Sequence, residues 1–190
     1  MQEPVRLILM YGLIPLWILA GLGDWWFHRR QRIEINAGVR ESALHSLMMV
    51  QVGVPVLLVL FFEVNALLFA IMIAGVVVHA VTAWFDVRYA VSRRTVPPNE
   101  QHMHSLLEML PITAVVILAA AHWDQFLALF GAGTEPPRLA LTPKRDPLSP
   151  SYLFSLFAAL GLFVVLPYAE ELLRCLRAQA ARAKPVAQHT

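Results

Sequence analysis

Residues 43–85 read ALHSLMMVQVGVPVLLVLFFEVNALLFAIMIAGVVVHAVTAWF, and this block decides the fold. A membrane-spanning helix needs about 20 mostly apolar residues, so the block is too long for one crossing. The polar triplet Glu63-Val64-Asn65 divides it into two halves of similar length. The sequence therefore predicts a tight hairpin of two membrane-spanning helices.

Three further stretches have the length and apolarity of a membrane-spanning helix. The first carries only Arg6 as an early basic residue and has no Ala-x-Ala cleavage pattern, so we do not interpret it as a signal peptide. Another follows Pro97-Pro98-Asn99, where proline ends the preceding helix and Asn99 can cap the next. The sequence predicts an all-α bundle in a single transmembrane domain, residues 1–175, with spans at about 5–27, 42–62, 65–87, 100–122 and 151–170, a Pro-rich extramembrane loop at 131–150 and a polar C-terminal tail at 176–190.

The composition supports an integral membrane protein. The chain has 190 residues, of which 58% are hydrophobic and 15% charged, whereas about a quarter of a soluble domain is charged. The net charge of +2 comes from short basic clusters beside apolar blocks, and we predict no nucleic-acid partner. The lone Cys175 excludes an intramolecular disulfide and a Cys-rich metal site. Any chemistry must use His, Asp and Glu.

The distribution of Lys and Arg predicts the orientation, because these residues are in excess on the cytoplasmic side of a membrane. Eleven lie in the first and third loops and the C-terminal segment, and four lie on the other side. We therefore expect an outer N-terminus, a cytoplasmic C-terminus and residence in a bacterial inner (plasma) membrane.

Ionisable residues inside spans are costly, and those of this chain collect at one end of the predicted helices. Residues four apart share a helix face, so Asp24 and His28 form one pair and Glu41 and His45 another. Mixed carboxylate and imidazole ligands without thiolate suit iron or manganese, and also catalytic zinc. We predict two metal ions, most consistent with iron, with zinc or manganese as the alternative, bound near the cytoplasmic face. The predicted ligands are Asp24, His28, Glu41, His45, His79, Asp86, Glu100, His104 and Glu108, while His102 points away from the Glu100/His104 stripe and is expected to support a ligand.

Such a site favours a membrane-embedded di-metal oxidoreductase that acts on a hydrophobic or lipid-like substrate. The general plan resembles membrane fatty-acid hydroxylases and desaturases, although their His-x3-His and His-x2-His-His boxes are absent. Electrons would come from a cytoplasmic donor, because no flavin, haem or nicotinamide fingerprint is present. One alternative is a zinc-dependent lipid amide or ester hydrolase. Another is a non-enzymatic membrane subunit with a structural polar or metal cluster. With any of these functions, the chain could form a homo-oligomer or part of a larger membrane complex.

Overall fold

The computed structural model describes residues 3–183, and its regular secondary structure is helical with no strands in that range. Five helices are long and apolar enough to cross a membrane. Two short helices lie in the connections between them. In chain order the helices are α1 Glu3–Gln31, α2 Ile33–Asn36, α3 Val39–Phe61, α4 Ala66–Arg93, α5 Pro98–Ala121, α6 Trp123–Leu129 and α7 Pro150–Ala183.

The predicted hairpin is formed by α3 and α4, and the chain reverses at Phe62–Asn65. Asn65 caps α4 by accepting a hydrogen bond from the Leu68 amide at 3.2 Å. Its amide group also donates to the carbonyl of Ala140 at 2.8 Å. The long loop after α6 therefore packs on the hairpin turn, and backbone bonds from Glu63 to Thr142 and from Lys144 to Phe61 extend this contact.

The five long helices form one bundle. Helix α1 packs against α5 and α7, α3 packs against α4 and α7, and α4 also contacts α5. Near the hairpin turn, Phe69 and Met72 of α4 pack with Leu118 of α5. Many large apolar side chains face outward, including Val77 and Phe154. An apolar outer surface of this kind is typical of a helix bundle whose solvent is lipid.

Two of the long helices contain one wide π-helical turn each. The turns span Ile8–Leu13 in α1 and Gly161–Val165 in α7, and each is followed within two residues by a proline, Pro15 or Pro167. Proline lacks an N–H and clashes with the preceding helical turn, so the helix widens there. The turn in α7 directly precedes Tyr168 and Glu171, which are both buried.

Replacing Asn65 by alanine should destabilise the hairpin. Loss of a helix cap costs about 0.5–2 kcal/mol, and we expect the upper part of that range because Asn65 also holds the Ala140 carbonyl. Chemical denaturation in detergent measures the effect. Ser149→Ala is the matched control, since Ser149 is an exposed cap of α7 with a single backbone bond to Tyr152. Equal losses in the two variants would contradict this role of Asn65.

Candidate metal centre

One buried cluster joins all five long helices at the end of the bundle opposite the α3–α4 turn. Most of its side chains are 0–3% exposed, and only His104 reaches 16%. Their positions follow from helix geometry, because residues four apart on α1, α3 and α5 share one face. The cluster contains Asp24 and His28 from α1, Glu41 and His45 from α3, Asp86 from α4, Glu100 and His104 from α5, and Glu171 from α7.

Glu171 holds two imidazoles at once. The Nδ1 atoms of His28 and His45 each lie 3.0 Å from one of its two carboxylate oxygens. The two rings stack with centroids 4.4 Å apart and planes within 9° of parallel. A carboxylate that accepts from Nδ1–H fixes the tautomer of a histidine and leaves its Nε2 lone pair free for a cation. Glu171 thus orients both imidazoles and leaves the Nε2 lone pair of each available to a cation.

Around His28, four ligand-type atoms converge. His28 Nε2 lies 3.4 Å from Asp24 Oδ1 and 3.4 Å from Glu100 Oε1, and His104 Nε2 lies 2.9 Å from Asp24 Oδ1. Within the described chain, the Nε2 atoms of His28 and His104 and Oδ1 of Asp24 are buried without an aligned hydrogen bond. Ligand atoms about 2.1 Å from a metal ion lie roughly 3–3.4 Å from one another. These separations match the space around a cation.

His45 stands at the second convergence of polar atoms. Its Nε2 atom is 3.2 Å from Asp86 Oδ2, while its Nδ1 atom contacts Glu171. A neutral imidazole carries one N–H, so contacts with two carboxylates need a second proton or a cation. A cavity of about 70 Å³ adjoins this point, and His79 and Glu108 line it together with His45 and Asp86. His79 Nδ1 is buried there without a partner among residues 3–183.

Two groups of three side chains have ligand atoms that all lie within 4.8 Å of one another. One group is Asp24, His28 and His104, and the other is His28, Glu41 and His45. They share His28, so the two groups are adjacent rather than separate. The two groups therefore form one continuous cluster.

Arg94 closes the cluster from the end of α4. Its guanidinium contacts both Glu41, with Nη2 to Oε1 at 2.5 Å, and Glu100, with Nη1 to Oε2 at 3.0 Å and a second contact from Nη2 to Oε1. Burial lowers the pKa of Arg94, but hydrogen bonds to Glu100 and Glu41 outweigh it and hold that pKa above its ordinary value. The arginine is therefore a permanent positive charge between two buried carboxylates.

The cluster is strongly acidic when its imidazoles are neutral. Its carboxylates come from Asp24, Glu41, Asp86, Glu100 and Glu171, and Arg94 supplies one positive charge. The net charge is then four negative, in a place with little access to water. Two divalent cations would neutralise it, and so would added protons on the imidazoles together with part of the carboxylates.

A second layer of contacts positions α7. The Tyr168 hydroxyl donates to Asp24 Oδ2 at 3.5 Å, on the inner face of the helix. On the outer face, Glu170 accepts from Trp25 Nε1 at 3.0 Å and from Arg29 Nη1 at 2.7 Å. Arg174 adds an ion pair with Glu34 of α2. These bonds tie α7 to α1 and α2 and so hold Glu171 over the two histidines.

Seven of the nine predicted ligands lie together in the cluster. The other two, His79 and Glu108, border the small adjoining cavity, and Glu108 is exposed on its rim. His102 is exposed, and within residues 3–183 its side chain has no hydrogen bond or ion pair. The tail predicted at 176–190 is helical to Ala183, and its last residues lie outside the described part of the chain.

The sequence patterns alone assign no specific role to Glu171, Arg94 or Tyr168. A signal for two of them was present, because Tyr168, Glu171 and Cys175 follow the helical spacing of one buried face. No sequence signal distinguishes Arg94 from the neighbouring basic residues, whose positions are explained by the predicted membrane topology.

The chain matches no protein-family model, no curated protein and no solved structure. Fold and site together define an all-helical protein with five helices long enough to cross a membrane and a buried histidine–carboxylate cluster that could hold metal ions.

Replacing Arg94 by glutamine should strongly destabilise the protein. Removing one partner from a buried ion pair costs about 3–5 kcal/mol, and here two carboxylates lose their partner. The free energy of unfolding in detergent is the measurement. Arg93→Gln is the matched control, because Arg93 is exposed and its guanidinium carbon lies over the Tyr89 ring, 5.4 Å from the ring centroid. A loss below about 1 kcal/mol in Arg94→Gln would show that the pair does not stabilise the fold.

Proposed function

We propose that the protein is a membrane-embedded di-metal oxidoreductase, with iron as its metal, that oxidises a hydrophobic or lipid-like substrate. The observation that carries the proposal is the bridge from Glu171 to His28 and His45. One carboxylate directs two parallel imidazoles so that their Nε2 atoms face separate groups of acidic oxygens. A network built only for packing has no need of this arrangement.

The ligand set divides between two positions. Asp24, His28, Glu100 and His104 surround the first. His45 and Asp86 mark the second, and His79 and Glu108 lie beside it on the wall of the small cavity. Glu41 stands between the two positions and is held by Arg94.

The donor set favours iron over zinc and over metals that prefer thiolate ligands. Carboxylates outnumber imidazoles in the cluster, and oxygen-rich mixed ligation suits iron or manganese. Bound iron would supply the activation of dioxygen and the one-electron steps. The chain's own residues orient the ligands through Glu171, balance charge through Arg94 and place the Tyr168 hydroxyl beside Asp24. A cytoplasmic donor would supply the electrons.

The surroundings of the cluster fit an apolar substrate. A larger cavity of about 290 Å³ lies between the helices, and its walls are mostly apolar. Trp17 and Val52 line both this cavity and the small one at the cluster. A hydrophobic molecule in the larger cavity would thus lie next to the small cavity at the cluster, with Trp17 and Val52 between them. Hydroxylation, desaturation and oxidative cleavage are all compatible with such an approach.

The charge distribution supports a location near the cytoplasmic face of a bacterial inner membrane. Arg29, Arg40, Arg88 and Arg93 flank the end of the bundle that holds the cluster. By the excess of basic residues on that side, the N-terminus is outside and the C-terminus is cytoplasmic.

Metal analysis of the detergent-purified protein tests the proposal. We expect about two irons per chain, and a 10- to 100-fold weaker metal affinity in Glu171→Gln, the size of effect typical of residues that orient a ligand. His104→Ala should lose metal as well. His102→Ala is the control on the same helix and should keep the wild-type content.

Each other result selects a different function. One zinc ion per chain would indicate the hydrolase, in which a metal-bound water attacks an ester or amide and Glu108 on the cavity rim serves as base. No metal after loading with iron, manganese or zinc would identify the cluster as a structural polar network with protonated histidines.

A further inference from the structure

We infer that the larger cavity binds one fatty acid, with its carboxylate at the cationic mouth beside Lys144 and its chain directed towards the histidine–carboxylate cluster. The cavity and the charged groups at its mouth support the binding of the fatty acid. Oxidation of the chain end at the cluster rests on the proposed function.

The cavity has the dimensions of a single acyl chain. Along α1 its lining runs from Arg6 to Trp17, a rise of about 16 Å. One leaflet contributes about half of the roughly 30 Å hydrocarbon core of a bilayer, so the two lengths agree. The volume of about 290 Å³ is at the lower end of the range for ligand pockets, which favours one chain over a two-chain lipid.

Charged groups gather at only one end of the cavity, near the α3–α4 turn. Arg6, Lys144 and Arg145 are the cations there, and Glu63 and Asp146 are the acids. Arg6 pairs with Asp146 at 3.4 Å, and Glu63 accepts from the backbone amide of Arg145 at 2.9 Å. Across residues 3–183, the side chains of Lys144 and Arg145 have no carboxylate within 4 Å.

Two of the groups at this mouth are set up to receive an anion. Burial, offset only in part by Glu63, lowers the pKa of Lys144. A carboxylate beside this half-buried ammonium would restore the interaction that burial removes. His122 also lines the mouth, and its Nε2 is buried without a partner among the described residues. Both groups can donate hydrogen bonds to a carboxylate.

The opposite end of the cavity adjoins the small cavity at the cluster. Trp17 and Val52 belong to both cavities, so the end of a chain anchored at Lys144 points to His45 and Asp86. From Trp17 to Asp24 the helix rises about 10 Å more, so the cluster lies beyond the end of the cavity that is remote from the carboxylate. A charged headgroup is thereby kept out of an already acidic site.

Quenching of tryptophan fluorescence by a medium-chain fatty acid, brominated at mid-chain and about 16 Å long when extended, tests the binding. The protein is used in detergent micelles, and the signal of Trp17 is isolated by comparison with Trp17→Phe. We expect saturable quenching, with an affinity reduced about tenfold or more in Lys144→Gln, since a hydrogen bond to a charged group contributes about 1.5–3 kcal/mol. The brominated methyl ester, which has no charge, should show a similar loss.

Two variants complete the design. Arg138→Gln is the matched control, because Arg138 is a loop cation that pairs with Glu135 and does not line the cavity. The affinity of this variant for the brominated fatty acid should equal that of the wild type. Ala114→Phe adds a ring to the cavity wall and should abolish saturable quenching. Equal affinity for the acid and the methyl ester would overturn the inference. So would wild-type affinity for the acid in both Lys144→Gln and Ala114→Phe.

The result separates this inference from the proposed function. Saturable quenching in a protein that holds no metal would support the fatty-acid site and contradict the proposed oxidoreductase function. Two bound irons without saturable quenching would support the oxidoreductase and overturn the fatty-acid site.

Discussion

The burial of five carboxylates inside a bundle of long apolar helices is the constraint on which the rest of the structure depends. Water cannot solvate these groups inside the bundle, so positive charge must reach them from within it. Arg94 meets part of this demand by contacting Glu41 and Glu100. The rest falls to the three imidazoles with added protons, or to cations bound between them. Every long helix contributes at least one group, and the cluster therefore ties the bundle together at one end.

Helix α7 supplies the residue that connects the polar ends of the other long helices into one site. Without it, His28 and His45 would have no common partner for their Nδ1 atoms. Its outer face is fastened by Glu170 to Trp25 and Arg29, so the inner face holds Glu171 in a fixed position. At the other end of the bundle, the loop before α7 is bonded to the α3–α4 turn. The two ends of α7 are thus anchored by different means, and the apolar cavity lies between them.

Local sequence patterns were sufficient for the helices and for most of the cluster. Hydropathy predicted five long apolar helices because in lipid the backbone must satisfy its own hydrogen bonds. The carboxylate–x3–His pairs placed Asp24 with His28 and Glu41 with His45, since both depend only on helix geometry. The role of Glu171 could not be found this way, because it depends on how α7 packs against α1 and α3. Arg94 lies in a basic run whose other members are exposed, and the apolar cavity arises from the packing of several helices.

The stacked pair of His28 and His45 has a thermodynamic consequence. Because the two oxygens of a single carboxylate hold the two rings, neither imidazole can turn without disturbing the hydrogen bond of the other. A group that turned one ring at its Nε2 end would therefore also displace the other ring through Glu171. The two Nε2 atoms are thus coupled through one carboxylate, so their occupants, protons or cations, would not bind independently of each other.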